Sequence, residues 1–276
     1  MTKEELRELQ LKELILLDKI ESLSKKLGLT YYIIAGTLLG AVRNKGFVPW
    51  DDDLDIAMPR DDYNKLRDYF YRNEDDEFFY EDQNTDKHHY CIHALIKIKN
   101  TVFLHKRLSS ADKHLKCKGV YLDIFPLDKA PTSNELAEQQ ANKIKKIRKL
   151  FYYKEAQIYE NDSFLKKLFK KIRKLLFVPI SFKRLSNKLI KEETKYNNGD
   201  GQYLVSMSSH YSYKKQMIRK DIYGDPQYVS FEGKQYKAPQ QIEEYLTHLY
   251  GNYLELPPEE KRYIGLNDLI FIDNRV

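Results

Sequence analysis

The sequence predicts an α+β fold in which a mixed β-sheet is flanked by helices. Segments whose apolar residues alternate, as in strands, are interleaved with longer segments in which apolar residues recur at helical spacing. The predicted strands are short and are bounded by glycine, proline or aspartate. A chain of 276 residues is also long enough to bury one large core or two smaller ones.

The predicted elements can be followed from the N-terminus. A capping box at Thr2 and Glu5 begins an amphipathic helix that Gly28 can end. The other predicted elements are strands over 29–35, 51–56, 78–81, 92–98 and 120–125, helices over 60–70, 134–159, 163–177 and 240–250, and a hairpin over 228–238. Residues 101–103 are predicted to pair with the strand over 92–98.

The segment that indicates chemistry most clearly is 49–55, where three aspartates alternate with other residues. Because side chains alternate along a strand, Asp51, Asp53 and Asp55 are predicted to share one face. Three carboxylates on one face repel one another unless a divalent cation lies between them, and oxygen ligands favour Mg²⁺ or Mn²⁺. A solvated acidic loop is the alternative, but apolar residues flank the run on both sides. We therefore predict a metal site that binds a phosphate or diphosphate substrate.

A glycine turn precedes these aspartates in the chain. Gly36 and Thr37 follow a predicted strand, where glycine lets a bound group approach the backbone and the next helix offers free N–H groups to phosphate. Arg43 and Lys45 can pair with phosphate oxygens, although Lys45 is equally well explained as an ordinary surface cation. Asp123 lies in a predicted apolar strand, where it either binds metal or serves as a capping or ion-paired aspartate.

Four segments together resemble the LicD family of phosphocholine transferases and the related fukutin-type enzymes. They are 36–43, 49–55, 119–128 and 250–258. The resemblance implies a nucleotidyltransferase-like core, in which a glycine turn faces a strand of metal-binding carboxylates. The family usually has histidine where this chain has Asn44, so any role of that imidazole is absent.

The resemblance also implies roles for individual residues. It makes Asp53, Asp55 and Asp123 the metal ligands and Asp51 a fourth catalytic carboxylate. Asp128, which follows a proline, is expected to be structural. The implied substrate-binding residues are Gly36, Thr37, Arg43, Lys45, Trp50 and Lys97.

The reaction implied by this resemblance is Mg²⁺-dependent transfer of phosphocholine from CDP-choline, or a similar CDP-linked donor, to a sugar hydroxyl. The implied acceptor is a cell-surface glycan or teichoic acid precursor, carried on a lipid at the inner face of the membrane. The residues by themselves support metal-assisted phosphoryl chemistry. Two alternatives stay open. One is a nucleotidyltransferase that moves the nucleoside monophosphate to a small molecule or sugar, and the other is a non-catalytic, membrane-associated glycan-binding protein.

One part of the chain is strongly basic. Residues 143–191 contain 16 Lys and Arg against three acids, whereas the whole chain has a net charge of only +6. Within this part, the predicted helix over 163–177 has apolar residues on one face and basic residues, including Lys170, on the other. Such a helix either lies in an anionic membrane interface or packs its apolar face on the core. Nucleic acid is not a predicted partner, because no nucleic-acid-binding motif accompanies the charge.

These patterns divide the chain into three predicted parts. They are a catalytic core over 1–130, a basic amphipathic helical segment over 131–195 that can face a membrane, and a C-terminal α/β lobe over 196–276 that completes the substrate site. The N-terminus lacks the pattern of a secretory signal, and two cysteines without metal-ligand spacing suit a reducing compartment. We therefore predict a cytoplasmic protein that associates peripherally with the inner face of the cell membrane. His88 and His89 are predicted to lie in a solvent-facing loop and His93 at the end of a strand, and none of the three is predicted to be a zinc ligand.

Overall fold

A computed structural model describes residues 1–105, 114–155, 162–177, 179–262 and 269–273, and it confirms the α+β class. The helices of this part are α1 (Lys3–Leu27), α2 (Ala35–Asn44), α3 (Arg60–Arg72), α4 (Asn134–Glu155), α5 (Phe164–Phe177), α6 (Phe182–Glu193), α7 (Tyr213–Gln216), α8 (Lys220–Tyr223) and α9 (Ile242–Tyr250). Its strands are β1 (Tyr32–Ile33), β2 (Asp55–Pro59), β3 (Phe78–Glu81), β4 (Ala94–Ile98), β5 (Thr101–His105), β6 (Tyr121–Lys129), β7 (Tyr203–Val205), β8 (Met217–Arg219), β9 (Gln227–Phe231), β10 (Lys234–Ala238) and β11 (Leu269–Asp273). Short 3₁₀ turns lie at Thr194–Tyr196 and Glu259–Lys261.

The central sheet of the described chain has seven strands and is mixed. Its main order is β1-β2-β6-β4-β3, with β7 paired to the end of β6 and β8 paired to β7. Strand β2 runs parallel to β6, whereas the other neighbouring pairs are antiparallel. Helices α1 and α3 both contact β6, so the central strand is covered by helices as the sequence predicts.

Helix α1 forms as its sequence pattern predicts. The Thr2 hydroxyl accepts a hydrogen bond from the Glu5 N–H across 3.1 Å, and the Glu5 carboxylate accepts one from the Thr2 N–H across 2.6 Å. Gly28 ends the helix with φ +64°, a left-handed conformation that glycine adopts without steric cost. The apolar stripe of the helix, including Leu16 and Ile20, is buried in the main core.

One predicted strand is wrong in extent and another is wrong in pairing. Strand β2 begins at Asp55 rather than Asp51, because β1 supplies a partner only for residues 56 and 57. Before Asp55 the chain is held by other contacts: the Asp51 N–H donates to the Val48 carbonyl, and the Gln10 side chain donates to the Asp51 carbonyl, each across 2.9 Å. The predicted pairing of 101–103 with 92–98 is also wrong, because β5 pairs with β11 instead.

Along the chain, helices α4 to α6 follow β6 and precede β7, and these two strands pair with each other. The helix predicted over 134–159 is described as far as Glu155, and the rest of that prediction lies outside the described residues. A second, smaller core forms here, from Ala130, Ile144, Ile147, Phe151, Leu185, Leu189, Val205 and Met207. Among the described residues, no helix is both long enough and apolar enough to cross a bilayer.

Helix α5 keeps its apolar face in solvent. Phe164, Leu165 and Phe169 are 78%, 75% and 67% exposed, so the alternative in which this face packs on the core is wrong. Lys170 differs from the rest of the predicted basic face, because it is buried in an ion pair with Asp162. The face is therefore available to a partner.

A buried ion-pair network joins α3 to β6 and α6. The Arg60 guanidinium pairs with Asp128, with Nε 2.8 Å from Oδ1, and with Glu193, with Nη2 2.8 Å from Oε2. The Asn197 side chain also donates to Asp128 across 2.7 Å. The predicted structural role of Asp128 is thus confirmed.

The C-terminal part of the chain contributes to the main core. The predicted hairpin is confirmed as β9 and β10, and the predicted helix as α9. Phe231, Tyr236 and Tyr245 are buried in the same core as the central sheet. At the hairpin tip, the Glu232 carboxylate accepts hydrogen bonds from Arg7 and from the Phe47 N–H, which ties the hairpin to α1 and to the loop before β2. The predicted boundaries at 131 and 196 stay predictions.

Candidate active site

Three carboxylates converge where β2 and β6 begin. The two strands run in parallel with Asp55 opposite Asp123, and the Asp123 N–H donates to the Leu54 carbonyl across 2.9 Å. Asp53 lies two residues before Asp55. Carboxylate oxygens of Asp53, Asp55 and Asp123 all lie within 4.8 Å of one another. The fold thus brings together the three predicted metal ligands, whose role as ligands stays a prediction.

Burial and mutual repulsion oppose ionisation of Asp53, Asp55 and the adjacent Asp51. Burial, followed by the charges of Asp55 and Asp51, raises the pKa of Asp53 well above its usual range. Burial and then Asp123 raise the pKa of Asp55 in the same way. For Asp51, burial and the neighbouring charge of Asp52 raise the pKa from 3.8 to about 7. A divalent cation among these oxygens would remove the repulsion, and a donor set made only of carboxylates suits Mg²⁺ or Mn²⁺.

The glycine turn after β1 holds two of the aspartates in place. At Gly36, an added Cβ atom would lie 2.5 Å from Asp51 Oδ2, so a larger residue would displace that carboxylate. The Thr37 side chain is buried, and its hydroxyl accepts a hydrogen bond from the Asp55 N–H across 2.9 Å. Ala35 has φ +48°, which is strained for a residue with a side chain. These residues position the carboxylates, and their predicted contact with substrate stays a prediction.

The three carboxylates line a cavity of about 410 Å³. Its other walls come from regions that sequence reasoning did not connect with the site, namely α4 and the segment after β7. Arg148 and Tyr152 project from α4, and His210 and Tyr211 come from the later segment. Arg148 is a cation of the basic segment, and it lines the same cavity as the aspartates. Its guanidinium donates to the Met207 carbonyl across 3.4 Å.

A second cavity, of about 440 Å³, is lined by four of the predicted site residues: Gly36, Arg43, Trp50 and Asp51. The Arg43 Cζ atom lies 5.9 Å from the centre of the Trp50 ring. Lys45 is not among the described residues that line this cavity. It is exposed at the end of α2, as expected for an ordinary surface cation.

Lys97 is buried within a network of charged groups. Its Nζ atom lies 2.7 Å from Glu81 Oε2 and donates to the Cys117 carbonyl across 3.1 Å. Glu81 Oε1 also contacts His89 Nδ1 at 2.8 Å, and His89 Nε2 contacts the His93 carbonyl at 2.9 Å. Lys97 therefore stabilises the buried Glu81 carboxylate, and its predicted contact with substrate phosphate stays a prediction.

His93 is a site residue that sequence reasoning missed. Its Nε2 atom lies 2.5 Å from Asp123 Oδ1, and its ring centre lies 4.3 Å from that of Phe125. His89 is fully buried, so its predicted solvent-facing position is wrong, whereas His93 lies at the end of a strand as predicted, directly before β4. The only local signal was that His93 directly precedes a strand. Its neighbour Asp123 is 30 residues further along the chain, so only strand pairing brings the two together.

Glu13 on α1 was also missed. It is completely buried, and neither carboxylate oxygen has a hydrogen-bond partner within the described part of the chain. Burial raises its pKa well above the usual range, and the charge of Asp52 adds to this effect. A signal was present in the sequence, because position 13 falls in the apolar stripe of α1 between Leu9 and Leu16.

Comparisons of the sequence with known proteins identify a family and several relatives. Residues 28–182 match the family described as LicD/FKTN/FKRP, nucleotidyltransferase domain. The chain is 29% identical over 268 residues to the lipopolysaccharide cholinephosphotransferase LicD of Haemophilus influenzae, covering 94% of this chain and 95% of that protein. It is also 51% identical over 45 residues to uncharacterized proteins of Rickettsia prowazekii and Rickettsia typhi, covering 16% of this chain in each case.

The matched region contains the glycine turn, the aspartates Asp51, Asp53, Asp55 and Asp123, and strands β2 and β6. The similarity to the H. influenzae protein extends this match over nearly the whole chain. The chain therefore belongs to the LicD/FKTN/FKRP nucleotidyltransferase domain family.

Proposed function

We propose that this chain transfers phosphocholine from CDP-choline to a hydroxyl group of a cell-surface glycan or teichoic acid precursor. The observation that carries the proposal is the cluster of Asp53, Asp55 and Asp123, held by two parallel strands. This cluster occurs in a chain that is similar along nearly its whole length to a cholinephosphotransferase. Because that relative is named for lipopolysaccharide, a lipid-linked glycan is the acceptor class that we favour.

Asp53, Asp55 and Asp123 are the residues that would hold Mg²⁺ or Mn²⁺. When bound, such a cation would offset the charge of the donor diphosphate and of the departing CMP. The chain's own residues prepare this arrangement. Thr37 fixes the backbone of Asp55, and His93 holds one oxygen of Asp123.

In the proposed reaction, an acceptor oxygen attacks the phosphorus of the phosphocholine group. A P–O bond to the acceptor forms, the P–O bond to the CMP phosphate breaks, and CMP leaves with the electrons of that bond. The acceptor hydroxyl loses its proton to a carboxylate, and Asp51 is our candidate because it lines the second cavity beside the cluster. Arg43 and Arg148 can pair with phosphate oxygens in the two cavities.

We also propose that α5 holds the protein on the anionic inner face of a membrane. Lys166, Lys167 and Lys171 add positive charge to a helix whose apolar side chains face solvent. A helix of this kind can insert its apolar face into the interface while anionic lipids attract its basic residues. Seven large apolar side chains are exposed along it: Phe164, Leu165, Leu168, Phe169, Ile172, Leu175 and Leu176.

The position of α5 supports a lipid-carried acceptor. The Arg173 Cζ atom on α5 lies 5.2 Å from the ring centre of Tyr152, and Tyr152 lines the carboxylate cavity. A membrane bound to α5 would therefore lie close to that cavity. An acceptor sugar anchored in the membrane could then reach the site without leaving the membrane surface.

Product analysis tests the proposed reaction. The protein is incubated with Mg²⁺, CDP-choline and candidate glycans, and we expect CMP and a phosphocholine-modified glycan. Asp55→Asn should lower the rate of CMP release by at least about 100-fold, whereas Asp61→Asn, at an exposed aspartate of α3, should not change it. Release of free phosphocholine would instead indicate transfer of the nucleoside monophosphate. Glycan binding with neither product released would indicate a non-catalytic binding protein.

A further inference from the structure

Two arginines lie against the only tryptophan of the chain. The Cζ atoms of Arg43 and Arg262 lie 5.9 Å and 5.3 Å from the centre of the Trp50 ring. Arg43 and Trp50 line the cavity of about 440 Å³, and Arg262 donates to the carbonyl of Pro257, which lines the same cavity. Both arginine side chains are half-buried. Two guanidinium groups thus lie within 6 Å of the centre of one aromatic ring beside the proposed site.

The charge of Arg43 is poorly compensated. Its guanidinium donates to the Asn44 side chain across 3.3 Å and to the Tyr253 carbonyl across 3.5 Å, both neutral groups at long distances. The neighbouring Asp51 favours the charged form of Arg43. Burial and the charge of Arg262 outweigh that effect and lower the pKa of Arg43. The positive charge is therefore maintained at a free-energy cost within the protein.

Arg262 has a similar environment. Its hydrogen bond to Pro257 is to a neutral carbonyl, across 2.9 Å. It also contacts Glu259, but the separation is 3.9 Å and the Glu259 side chain is 91% exposed, so solvent screens this pair. Glu255 also lines the cavity, where its carboxylate accepts a hydrogen bond from Asn252 across 3.3 Å.

We propose that Arg43 and Arg262 form a phosphate-binding subsite beside Trp50. Guanidinium groups bind phosphate oxygens in a bidentate manner, and an anion between two such groups removes their repulsion. The ligand class is a phosphate or diphosphate group. A nucleotide donor and a lipid-linked acceptor both carry such a group. Only the identification of these two sources rests on the proposed function. Arg262 lies outside the segments that resemble the family, so only the fold assigns it to the site.

Fluorescence of Trp50 gives a direct test, because a single tryptophan makes the emission specific to this cavity. Inorganic pyrophosphate is titrated into the protein in the presence of EDTA, and we expect a saturable change in emission. Arg262→Gln and Arg43→Gln should each raise the dissociation constant by about tenfold or more. Arg72→Gln, at an exposed arginine of α3, should leave it within about twofold. Arg262→Lys keeps the charge without the planar fork and should give an intermediate value. Circular dichroism verifies that each variant is folded.

Competition between ligands identifies the source of the phosphate. If CMP displaces pyrophosphate, the donor occupies the subsite; if CMP does not, the diphosphate of the acceptor does. If folded Arg262→Gln and Arg43→Gln bind pyrophosphate as the wild type does, or if the wild type does not bind it, the subsite is refuted. The titration requires neither metal nor transfer, so it is independent of the proposed function. A protein that binds pyrophosphate through Arg262 but never releases CMP would refute the transfer reaction alone.

Discussion

Replacing Leu175 and Leu176 on α5 with glutamine should release the protein from anionic membranes without unfolding it. Each side chain is 71% exposed, so neither contributes much to the core. Full burial of a leucine side chain is worth about 1.5–3 kcal/mol, so inserting the exposed part of each should give about 1–2 kcal/mol. Loss of both should weaken membrane binding by about 2–4 kcal/mol, or about 30-fold to several hundred-fold. Glutamine is a good helix former, so α5 should persist.

Co-sedimentation with lipid vesicles measures this change. Wild-type protein should bind vesicles that contain phosphatidylglycerol more tightly than vesicles of phosphatidylcholine alone, and added salt should reduce the difference. Leu254→Gln is the matched control, because Leu254 is 62% exposed but lies outside α5. Its vesicle binding should stay within about twofold of wild type, and both variants should melt within about 3 °C of it.

Equal vesicle binding by wild type and the double variant would refute the membrane role of α5. An equal loss in Leu254→Gln would also refute it, because the effect would then not be specific to this helix. If the double variant instead converts a dimer to a monomer in analytical ultracentrifugation, the exposed face is an interface between two copies of the chain.

Three further predictions concern the carboxylate cluster and the core. Asp55→Asn should lower the rate of CMP release by at least about 100-fold and weaken Mn²⁺ binding in isothermal titration calorimetry, whereas Asp61→Asn should change neither. Without metal, the protein should lose thermal stability as pH rises from about 4 through 7, because burial raises the pKa of Asp53, Asp55 and the adjacent Asp51, the last to about 7, and these carboxyls therefore bind protons more tightly when folded. The unfolded chain releases its protons first, so low pH favours the folded state. Mg²⁺ should therefore stabilise most at high pH, and calorimetry showing a flat profile without metal would contradict this reasoning. Arg60→Met should lower the free energy of unfolding in urea by about 3–5 kcal/mol, since it leaves two buried carboxylates without their cation, and a loss below about 1 kcal/mol would show that the network contributes little.

Local patterns were enough to predict the elements that interactions between nearby residues stabilise. The capping box at Thr2 and Glu5 begins α1, and the hairpin of β9 and β10 forms around its predicted turn. The aspartate segment was recognised because its residue types and spacing are specific. In α1 and the hairpin the stabilising contacts join residues that are close in the chain, so a short window of sequence contains the information.

Strand extent and pairing were less predictable. Asp51 and Asp53 alternate with Asp55 as strand residues do, yet only Asp55 lies in β2. A strand requires a partner for its backbone groups, and β1 is only two residues long. The pairing of β5 with β11 depends in the same way on a segment more than 150 residues away.

The sequence by itself determined the α+β class, the amphipathic helices and the two segments, 49–55 and 119–128, that carry the carboxylates. Only the tertiary structure decided that Asp55 lies opposite Asp123, that His93 holds the latter, and that Arg262 reaches Trp50. It also decided that the apolar face of α5 stays in solvent. The physical reason is that amphipathicity specifies which face of an element is apolar, whereas the partner of that face is selected by packing across the whole chain.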